Sequence, residues 1–346
     1  METKKIITIT KKILNVNHLI TEKKTFIEVC AGGGGLSVGL INAGFTPILL
    51  NDNNMDCCNT LKRNHPNVEI FKGSMTEINN INYRDKVDLL AGGVPCQSYS
   101  LAGKKKGLND PRGDLILQFI KMIEEIRPKI FLIENVKGLL IHEQGKTLEY
   151  ILKLINNLNL YQIQYKVLNA YNYSVPQKRE RIFIIGVLNT IAKPYIFPKE
   201  NSTKIILKDV LINVPYSLCA KYSTEKETLF KLIPQGGCWI NLPIDLQKSY
   251  LGNSYNSGGG KRGILYRLSM QEPCLTILCT PTQKQTERCH PLENRPLSIR
   301  ESARIQTFKD DYEFSGSMAS QYKQIGNAVP VELARQIGIS ILDVLS

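Results

Sequence analysis

A cysteine in the first third of the chain stands where a thiol could act as a nucleophile. Cys96 lies in the segment GGVPCQS at positions 92–98, directly after an apolar run that predicts a strand at 87–91. The glycines allow a tight turn, and the proline stiffens the chain. Because α/β enzymes carry their active sites in loops at strand ends, Cys96 is a candidate catalytic residue. The alternative is an ordinary, partly buried cysteine.

A glycine-rich turn near the start of the chain could bind a nucleoside or a phosphate group. It lies in FIEVCAGGGGLSVGL, at positions 26–40, between a predicted strand and a predicted helix. The spacing of its glycines fits the dinucleotide fingerprint poorly. Asp52 ends the next predicted strand, where an acid could hydrogen-bond ribose hydroxyls. The alternative for Asp52 is a cap on the helix that follows.

Short apolar runs alternate with helical stretches through the first half of the chain, and these elements must position the two loops. The pattern predicts strands at 25–30, 47–51, 69–72, 87–91 and 129–134, and helices at 36–43, 55–64, 114–126 and 147–158. Two further strands, 164–168 and 181–187, could pair as a hairpin. Such alternation predicts an α/β fold with a doubly wound, mostly parallel, Rossmann-like sheet.

The periodicity weakens after about residue 192. From there to 293 the chain has scattered proline, asparagine and serine, three successive glycines at 258–260, and its only tryptophan, Trp239. This composition predicts a second, smaller, irregular domain suited to recognition. Helices are predicted again at 298–308 and 331–345. We therefore expect a catalytic and cofactor-binding domain from 1–192 and 313–346, and a target-recognition domain over 193–312.

The composition limits the class of protein. The 346 residues are 42% hydrophobic and 22% charged, as in globular proteins. No apolar run is long enough to span a membrane, and the polar start does not resemble a secretory signal, so we expect a soluble, cytoplasmic protein with no membrane partner. The net charge of +13 favours a polyanionic partner.

Nine cysteines occur without the paired spacings of a disulfide framework, which suits a reducing cytosol. The grouping that comes closest to a metal site is Cys279 with Cys289 and His290. Because a second pair of ligands is missing from the sequence pattern, we expect no metal cofactor.

Five motifs, in order along nearly the whole chain, resemble those of prokaryotic DNA (cytosine-5)-methyltransferases. They are the Pro-Cys-Gln loop at 92–100, ENV at 134–136, QKRER at 177–181, the Arg-Glu-x-x-Arg-x-Gln segment within 295–308, and QIGNAVP at 324–330. Each motif alone is a weak signal. Together with the glycine turn they are specific to this family.

The resemblance implies a mechanism that needs these residue types together. Carbon 5 of cytosine is too weak a nucleophile to attack a methyl sulfonium until a thiolate, from Cys96, adds at carbon 6. Glu134 would bind the ring nitrogen and the exocyclic amine. Arg181 would hydrogen-bond the base carbonyl, because a guanidinium suits this geometry, and Arg179 would support Glu134 or contact the backbone. The cytosine must first be flipped out of the duplex.

The methyl donor implied by the resemblance is S-adenosylmethionine. The residues expected to bind it, or its product S-adenosylhomocysteine, are Glu28, Gly32, Gly34, Gly35, Asp52, Asn53, Ser74, Pro95, Leu115, Asn327 and Ala328. Three positions depart from the family pattern. Glu28 replaces an aspartate, Cys30 replaces an aromatic that packs on adenine in relatives, and Ser74 stands where an aspartate usually meets the adenine amine.

Duplex DNA is the partner that the resemblance implies. The loop after Cys96 is polar and basic, and it is expected to contact DNA through Gln97, Ser100, Lys104 and Arg112. The second domain would read base edges in the major groove. A restriction endonuclease acting on the same site would be a functional partner without forming a stable complex, and we expect a monomer.

Three other functions remain open from the sequence. A non-catalytic DNA-binding regulator on the same fold would not need Cys96, Glu134 and Arg181. A nicotinamide or flavin oxidoreductase would use the glycine turn, although the glycine spacing does not favour it and Cys96 adds nothing to that chemistry. A tRNA methyltransferase is the nearest variant. The large irregular region and the closing Gly-Asn-x-Val-Pro favour DNA.

Overall fold

A computed structural model describes residues 23–95, 115–256 and 263–346 of the chain. Its main feature is a seven-stranded sheet with the order β3-β2-β1-β4-β5-β8-β6. The first five strands are parallel, whereas β8 runs antiparallel to both β5 and β6. A short parallel pair, β7 with β9, forms a second sheet.

The strands have the following bounds: β1 Thr25–Val29, β2 Thr46–Asp52, β3 Glu69–Lys72, β4 Leu89–Gly92, β5 Ile130–Val136, β6 Tyr161–Asn169, β7 Gln177–Lys178, β8 Glu180–Leu188 and β9 Cys274–Leu275. The α-helices within the described ranges are α1 Gly35–Ala43, α2 Met55–Asn64, α3 Leu115–Ile126, α4 Lys146–Asn156, α5 Leu207–Val210, α6 Thr224–Phe230, α7 Ile244–Leu251, α8 Ile299–Ile305, α9 Met318–Asn327 and α10 Val331–Leu345.

The central strands are apolar on both faces, and successive residues enter different cores. In β5, Leu132 belongs to a core that also contains residues of α1 and α10, whereas Phe131 belongs to a core with residues of α3 and α4. Side chains alternate across a strand, so a sheet covered by helices on both sides needs apolar residues at every position. The predicted doubly wound fold is confirmed.

The last helix returns to the first. Helix α10 packs on α1 through small residues: a Cβ added at Gly338 would lie 2.7 Å from the Cβ of Ala43, and one added at Gly39 would overlap Ala334. This close approach holds α1, and with it the glycine turn from which α1 starts, against the sheet.

Among the described residues, two further cores lie outside the sheet. One joins residues before and after position 312, among them Leu207, Cys274, Ile299, Phe314 and Tyr322. The other is confined to the irregular region and is built around Phe230, Leu251 and Leu265.

Several predicted boundaries shift by a few residues. The strand predicted from Val87 begins at Leu89, and the helix predicted over 298–308 ends at Ile305. The predicted hairpin strands are the antiparallel neighbours β6 and β8. The sequence pattern predicts neither helix α9, whose residues are mostly polar, nor the short helices α5, α6 and α7. No helix in the described part of the chain has both the length and the apolar character that crossing a membrane requires.

Candidate active site

The glycine turn leaves β1 in a tight, left-handed conformation. Cys30, Gly32 and Gly34 have φ angles of 53°, 55° and 84°. The turn is attached to β2, because Ala31 N donates to Asn51 O at 2.9 Å and Gly32 N donates to Asp52 Oδ2 at 2.8 Å. Positive φ is costly for residues with a side chain, so glycine suits two of these positions, and Cys30 adopts the conformation as a non-glycine residue.

The three glycines predicted to bind the cofactor differ in what surrounds them. A Cβ at Gly32 would meet no atom within 4 Å. A Cβ at Gly34 would overlap the hydroxyl of Tyr312, and one at Gly35 would overlap the carbonyl of Val329. Internal packing therefore requires glycine at 34 and 35, whereas Gly32 borders open space into which a ligand could fit.

Asp52 is half-buried at the end of β2, and both carboxylate oxygens accept backbone hydrogen bonds. Besides the bond from Gly32, Oδ1 accepts from Asn54 N at 2.8 Å. The cap of α2 is Asn54, whose side chain accepts from Cys57 N. The alternative interpretation of Asp52 as that helix cap is therefore wrong. Asp52 instead joins the turn to the strand end, beside the open space at Gly32 that we call the crevice.

Glu28 is the most deeply buried acid of the crevice. It is 2% exposed, and its carboxyl accepts a hydrogen bond from the hydroxyl of Ser37 on α1. Burial raises the pKa of Glu28 to about 8, the hydrogen bond from Ser37 opposes the shift, and the nearby carboxylates of Asp52 and Glu134 add to it. A cation entering the crevice would favour the ionised form.

The other predicted cofactor residues lie along the same edge of the sheet or close to it. Asn53, Pro95 and Asn327 are exposed, Ala328 is buried, and Leu115 is half-buried and packs on the core that Cys30 and Phe71 also border. Ser74 accepts from Thr76 N and caps a short 3-10 turn after β3.

Glu134 occupies the end of β5, facing β8. It is 8% exposed, and its Oε1 atom lies 3.0 Å from Nε of Arg181. The next residue, Asn135, donates from Nδ2 to the carbonyl of Val94 at 2.8 Å. Since Val94 is two residues before Cys96, this bond holds the start of the Pro-Cys-Gln loop against the end of β5.

The two arginines of the QKRER motif have different surroundings. Arg181 pairs with Glu134, whereas Arg179 is 1% exposed and reaches the carbonyl of Asn327 through Nη2 at 3.4 Å. The Nε and Nη1 atoms of Arg179 have no hydrogen-bond partner among the described residues. The described hydrogen bond of Arg179 is to a main-chain carbonyl of the protein, and the ion pair of Glu134 is with Arg181. The roles expected for Arg179 stay predictions.

These charges are close together and poorly solvated. Burial raises the pKa of Glu134, and Arg181 and then Arg179 oppose the shift. Burial lowers the pKa of Arg179 to about 9, with the neighbouring Arg181 adding to the effect. One carboxyl and two guanidinium groups, with two unused buried donors, form a site that can receive a planar, polar ligand.

Five predicted residues, Cys96, Gln97, Ser100, Lys104 and Arg112, lie outside the described residues. The three residues of the metal-like grouping are separate in their bonding. Cys279 contacts Asn327, Cys289 contacts the carbonyl of Glu293, and His290 lies 3.5 Å from Glu301. Within the described ranges no group of three or more His, Cys, Asp or Glu residues could hold a metal ion.

A pair of buried amide side chains connects three of the motifs. The sequence analysis assigned no role to either residue. Gln177 donates from Nε2 to Gln306 at 2.7 Å and accepts from Ile277 N at 2.9 Å. Gln306 in turn donates to the carbonyls of Ile325 and Ala328. Both glutamines are fully buried. Their positions within two motifs were the signal in the sequence that could have indicated a role. The sequence does not show that the two side chains pair across 129 residues.

Comparison with known proteins gives one consistent result. The family model of C-5 cytosine-specific DNA methylases matches residues 24–343. The chain is 46% identical over 330 residues to the type II methyltransferase M.Eco47II of Escherichia coli, covering 93% of this chain and 79% of that protein. It is also 46% identical over 326 residues to the type II methyltransferase M.Sau96I of Staphylococcus aureus, covering 92% of this chain and 76% of the relative.

Among solved structures, DNMT2 of Spodoptera frugiperda superposes on this chain with a TM-score of 0.68. The match covers 93% of this chain and 99% of that chain, and the sequence identity is 16%. At this identity the likeness concerns the fold.

Proposed function

The chain belongs to the C-5 cytosine-specific DNA methylase family and is a DNA (cytosine-5)-methyltransferase, and on this premise we propose how its residues perform the reaction. Its substrate is a specific sequence in duplex DNA, and its methyl donor is S-adenosylmethionine. The observation that carries the proposal is the cluster of buried Glu134 and Arg179 with half-buried Arg181 beside the start of the Pro-Cys-Gln loop.

The crevice at the ends of β1 and β2 fits this donor. Gly32 leaves open space above its Cα atom, where a Cβ would project, and Asp52 offers carboxylate lone pairs suited to ribose hydroxyls. Glu28 adds a buried carboxyl whose strongest charged neighbours are other acids. A ligand that carries positive charge, as the methyl donor does, would favour ionisation of this carboxyl and be stabilised by it. When bound, the donor supplies an electrophilic methyl group.

The base pocket is formed by the acid and the arginines. Glu134 binds the ring nitrogen and the exocyclic amine. Its raised pKa favours the protonated carboxyl, which can donate its proton to the ring nitrogen as negative charge develops on the base. Arg181 orients both Glu134 and the base carbonyl. The unused buried donors of Arg179 serve the base or its flanking backbone.

Cys96 is the nucleophile in this proposal. Its thiolate adds to carbon 6, which makes carbon 5 nucleophilic enough to take the methyl group. Loss of the proton on carbon 5 then expels the thiolate and restores the aromatic ring. A thiol with an ordinary pKa of about 8.5 is slightly ionised at neutral pH, and a basic loop assists ionisation.

Target recognition is assigned to residues 193–312, and the basic loop at Gln97, Ser100, Lys104 and Arg112 contacts the DNA around the flipped base. The net charge of +13 supports DNA as the partner.

The enzyme acts as a monomer in the cytoplasm. The two type II relatives suggest a restriction system, in which an endonuclease recognising the same sequence is a functional partner rather than a bound one.

The decisive experiment compares methyl acceptors and then traps the intermediate. The purified protein with tritium-labelled donor should methylate duplex DNA and leave tRNA unlabelled. With duplexes that carry 5-fluorocytosine at the target, wild type should form an adduct that survives denaturation, because fluorine cannot leave as the proton does. Cys96→Ala should bind duplex yet form no adduct and transfer no methyl group. Turnover by Cys96→Ala would refute the mechanism, and preferential labelling of tRNA would refute the substrate.

A further inference from the structure

A second thiol, Cys279, lies in the wall of the proposed site. The segment that leads to it runs beside the QKRER motif: Thr276 donates to the carbonyl of Lys178 at 3.0 Å, and Ile277 N donates to Gln177. The backbone then packs on Gly326, where an added Cβ would lie 2.7 Å from the nitrogen of Cys279. The main chain therefore fixes the position of this thiol.

The thiol contacts the side chain of Asn327. Cys279 Sγ lies 3.0 Å from Asn327 Oδ1, and its next acceptor, the carbonyl of Lys323, is 3.9 Å away. A thiol can donate to the amide oxygen, whereas pairing with the amide nitrogen would place two donors together. The bond thus sets the orientation of the amide, and it turns the NH2 group of Asn327 away from the thiol.

The protonation state of the thiol agrees with a donor role. Burial raises the pKa of Cys279, and the positive charges of Arg179, Lys323 and Arg181 reduce the shift without reversing it. The same asparagine accepts a hydrogen bond from Arg179 at its main-chain carbonyl. Asn327 is therefore held at its side chain by Cys279 and at its backbone by the base-side arginine.

We propose that Cys279 is a positioning residue for methyl transfer: its thiol orients the amide of Asn327 so that the NH2 group donates to an oxygen of the bound cofactor. Through Asn327 and Arg179 the same contact joins the cofactor side of the site to the base side. The inference rests on the proposed function, since it takes Asn327 as a cofactor residue.

The test measures the dissociation constant of S-adenosylhomocysteine by calorimetry with full-length variants. Cys279→Ala should weaken binding roughly three- to tenfold, the usual effect of one lost hydrogen bond. Cys279→Ser keeps a donor and should bind like wild type. Cys279→Val keeps the bulk without the donor and should behave like Cys279→Ala. Cys219→Ala, which removes a thiol that contacts the carbonyls of Ala220 and Pro296, is the matched control and should bind normally.

A double-mutant cycle separates positioning from general destabilisation. If Cys279 acts through Asn327, adding Cys279→Ala to Asn327→Ala should cause no further loss of affinity. Additive losses, or wild-type affinity in Cys279→Val, would overturn the inference. Failure of wild type itself to bind S-adenosylhomocysteine would count against the proposed function instead. Melting temperatures of all variants identify any loss that comes from unfolding.

Discussion

Arg179 is the residue whose surroundings say most about a ligand. The guanidinium of Arg179 is 1% exposed, makes one long hydrogen bond to Asn327, and has two nitrogen atoms without described partners, so its burial costs free energy. A ligand that enters the site would complete these hydrogen bonds. Arg181, by contrast, is already paired with Glu134 and can orient it before the base arrives.

The buried carboxyl of Glu28 leads to a prediction about how the stability of the protein depends on pH. Its pKa is raised from an ordinary value near 4.5 to about 8 by burial, so between these values the folded protein keeps a proton that the unfolded chain has lost. Stability should therefore fall as pH rises through this window, by at most about 1.4 kcal/mol per pH unit.

Glu28→Gln removes the titration and keeps the shape. The melting temperature of Glu28→Gln relative to wild type should rise steadily from pH 5 to pH 8 at constant ionic strength. Glu69→Gln, at an exposed position of β3, is the control and should melt in parallel with wild type. Equal pH dependence in wild type and Glu28→Gln would show that Glu28 is ionised in the folded protein.

At the scale of elements, strand pairing explains why the acid and its arginine meet. In the antiparallel pair of β5 and β8, Val136 is opposite Arg181 and Glu134 is opposite Phe183. Glu134 and Arg181 are thus diagonal neighbours on one face of the sheet, a distance that a long side chain can bridge. A shift of one residue in this register would send Arg181 to the other face.

The packing of α1 on α10 leads to a prediction about the stability of a variant at Gly39. Glycine to alanine inside a helix ordinarily stabilises it by about 0.5–1 kcal/mol. At Gly39, however, the new Cβ would overlap Ala334 and lie 2.6 Å from the carbonyl of Val331. Overpacking of this kind costs about 1–3 kcal/mol, so the sign should reverse and Gly39→Ala should lower the melting temperature.

Gly138→Ala is the matched control for Gly39→Ala. Its Cβ would have one neighbour within 4 Å, a methyl carbon of Val136 at 3.8 Å. Thermal melting should therefore leave Gly138→Ala close to wild type. A melting temperature of Gly39→Ala at or above that of wild type would mean that α10 can move away from α1 at little cost.

On the scale of the whole molecule, the cores indicate how recognition and catalysis could be separated. The core around Phe230, Leu251 and Leu265 is confined to the irregular region, whereas the neighbouring core joins Leu207 and Cys274 to residues of α8, α9 and α10. Replacing a segment that contributes to the core around Leu207 and Cys274 should disturb the site, because that core includes α9, which carries Asn327. Replacing a segment that contributes to the core around Phe230 alone should leave the site intact.

We therefore predict that replacing residues 221–266 with the matching segment of a relative that methylates another sequence will transfer specificity. Bisulfite sequencing of DNA treated with the chimera should show methylation at the relative's site, with Cys96 chemistry retained. Replacing 193–312 should instead reduce stability, measured by melting temperature. A folded chimera that still methylates the original site would place base reading outside 221–266.

Salt should distinguish the two kinds of DNA contact in the same chimera. Contacts of basic residues with phosphates make affinity fall steeply as ionic strength rises, whereas contacts with base edges set the preference between sites. Exchange of 221–266 should therefore alter the preference and leave most of the salt dependence unchanged.

Features that are local in the chain can be predicted from the amino-acid sequence. The strand, turn and helix at 25–43 follow from a short apolar run and consecutive glycines, and the five motifs identify the family because each is a short, continuous string of residues. Periodicity also gave the doubly wound sheet, since a strand buried on both faces and a helix with one apolar stripe differ in pattern.

Contacts between residues far apart in the chain are visible in the folded structure and not in the sequence. Tyr312 donates to the carbonyl of Gly33 across 279 positions, and Gln177 pairs with Gln306 across 129. The contact of Cys279 with Asn327 and the burial of Glu28 are of the same kind. Such contacts depend on strand register and on how helices pack, and no local pattern encodes them, because a residue's propensity does not depend on a partner that the fold brings near.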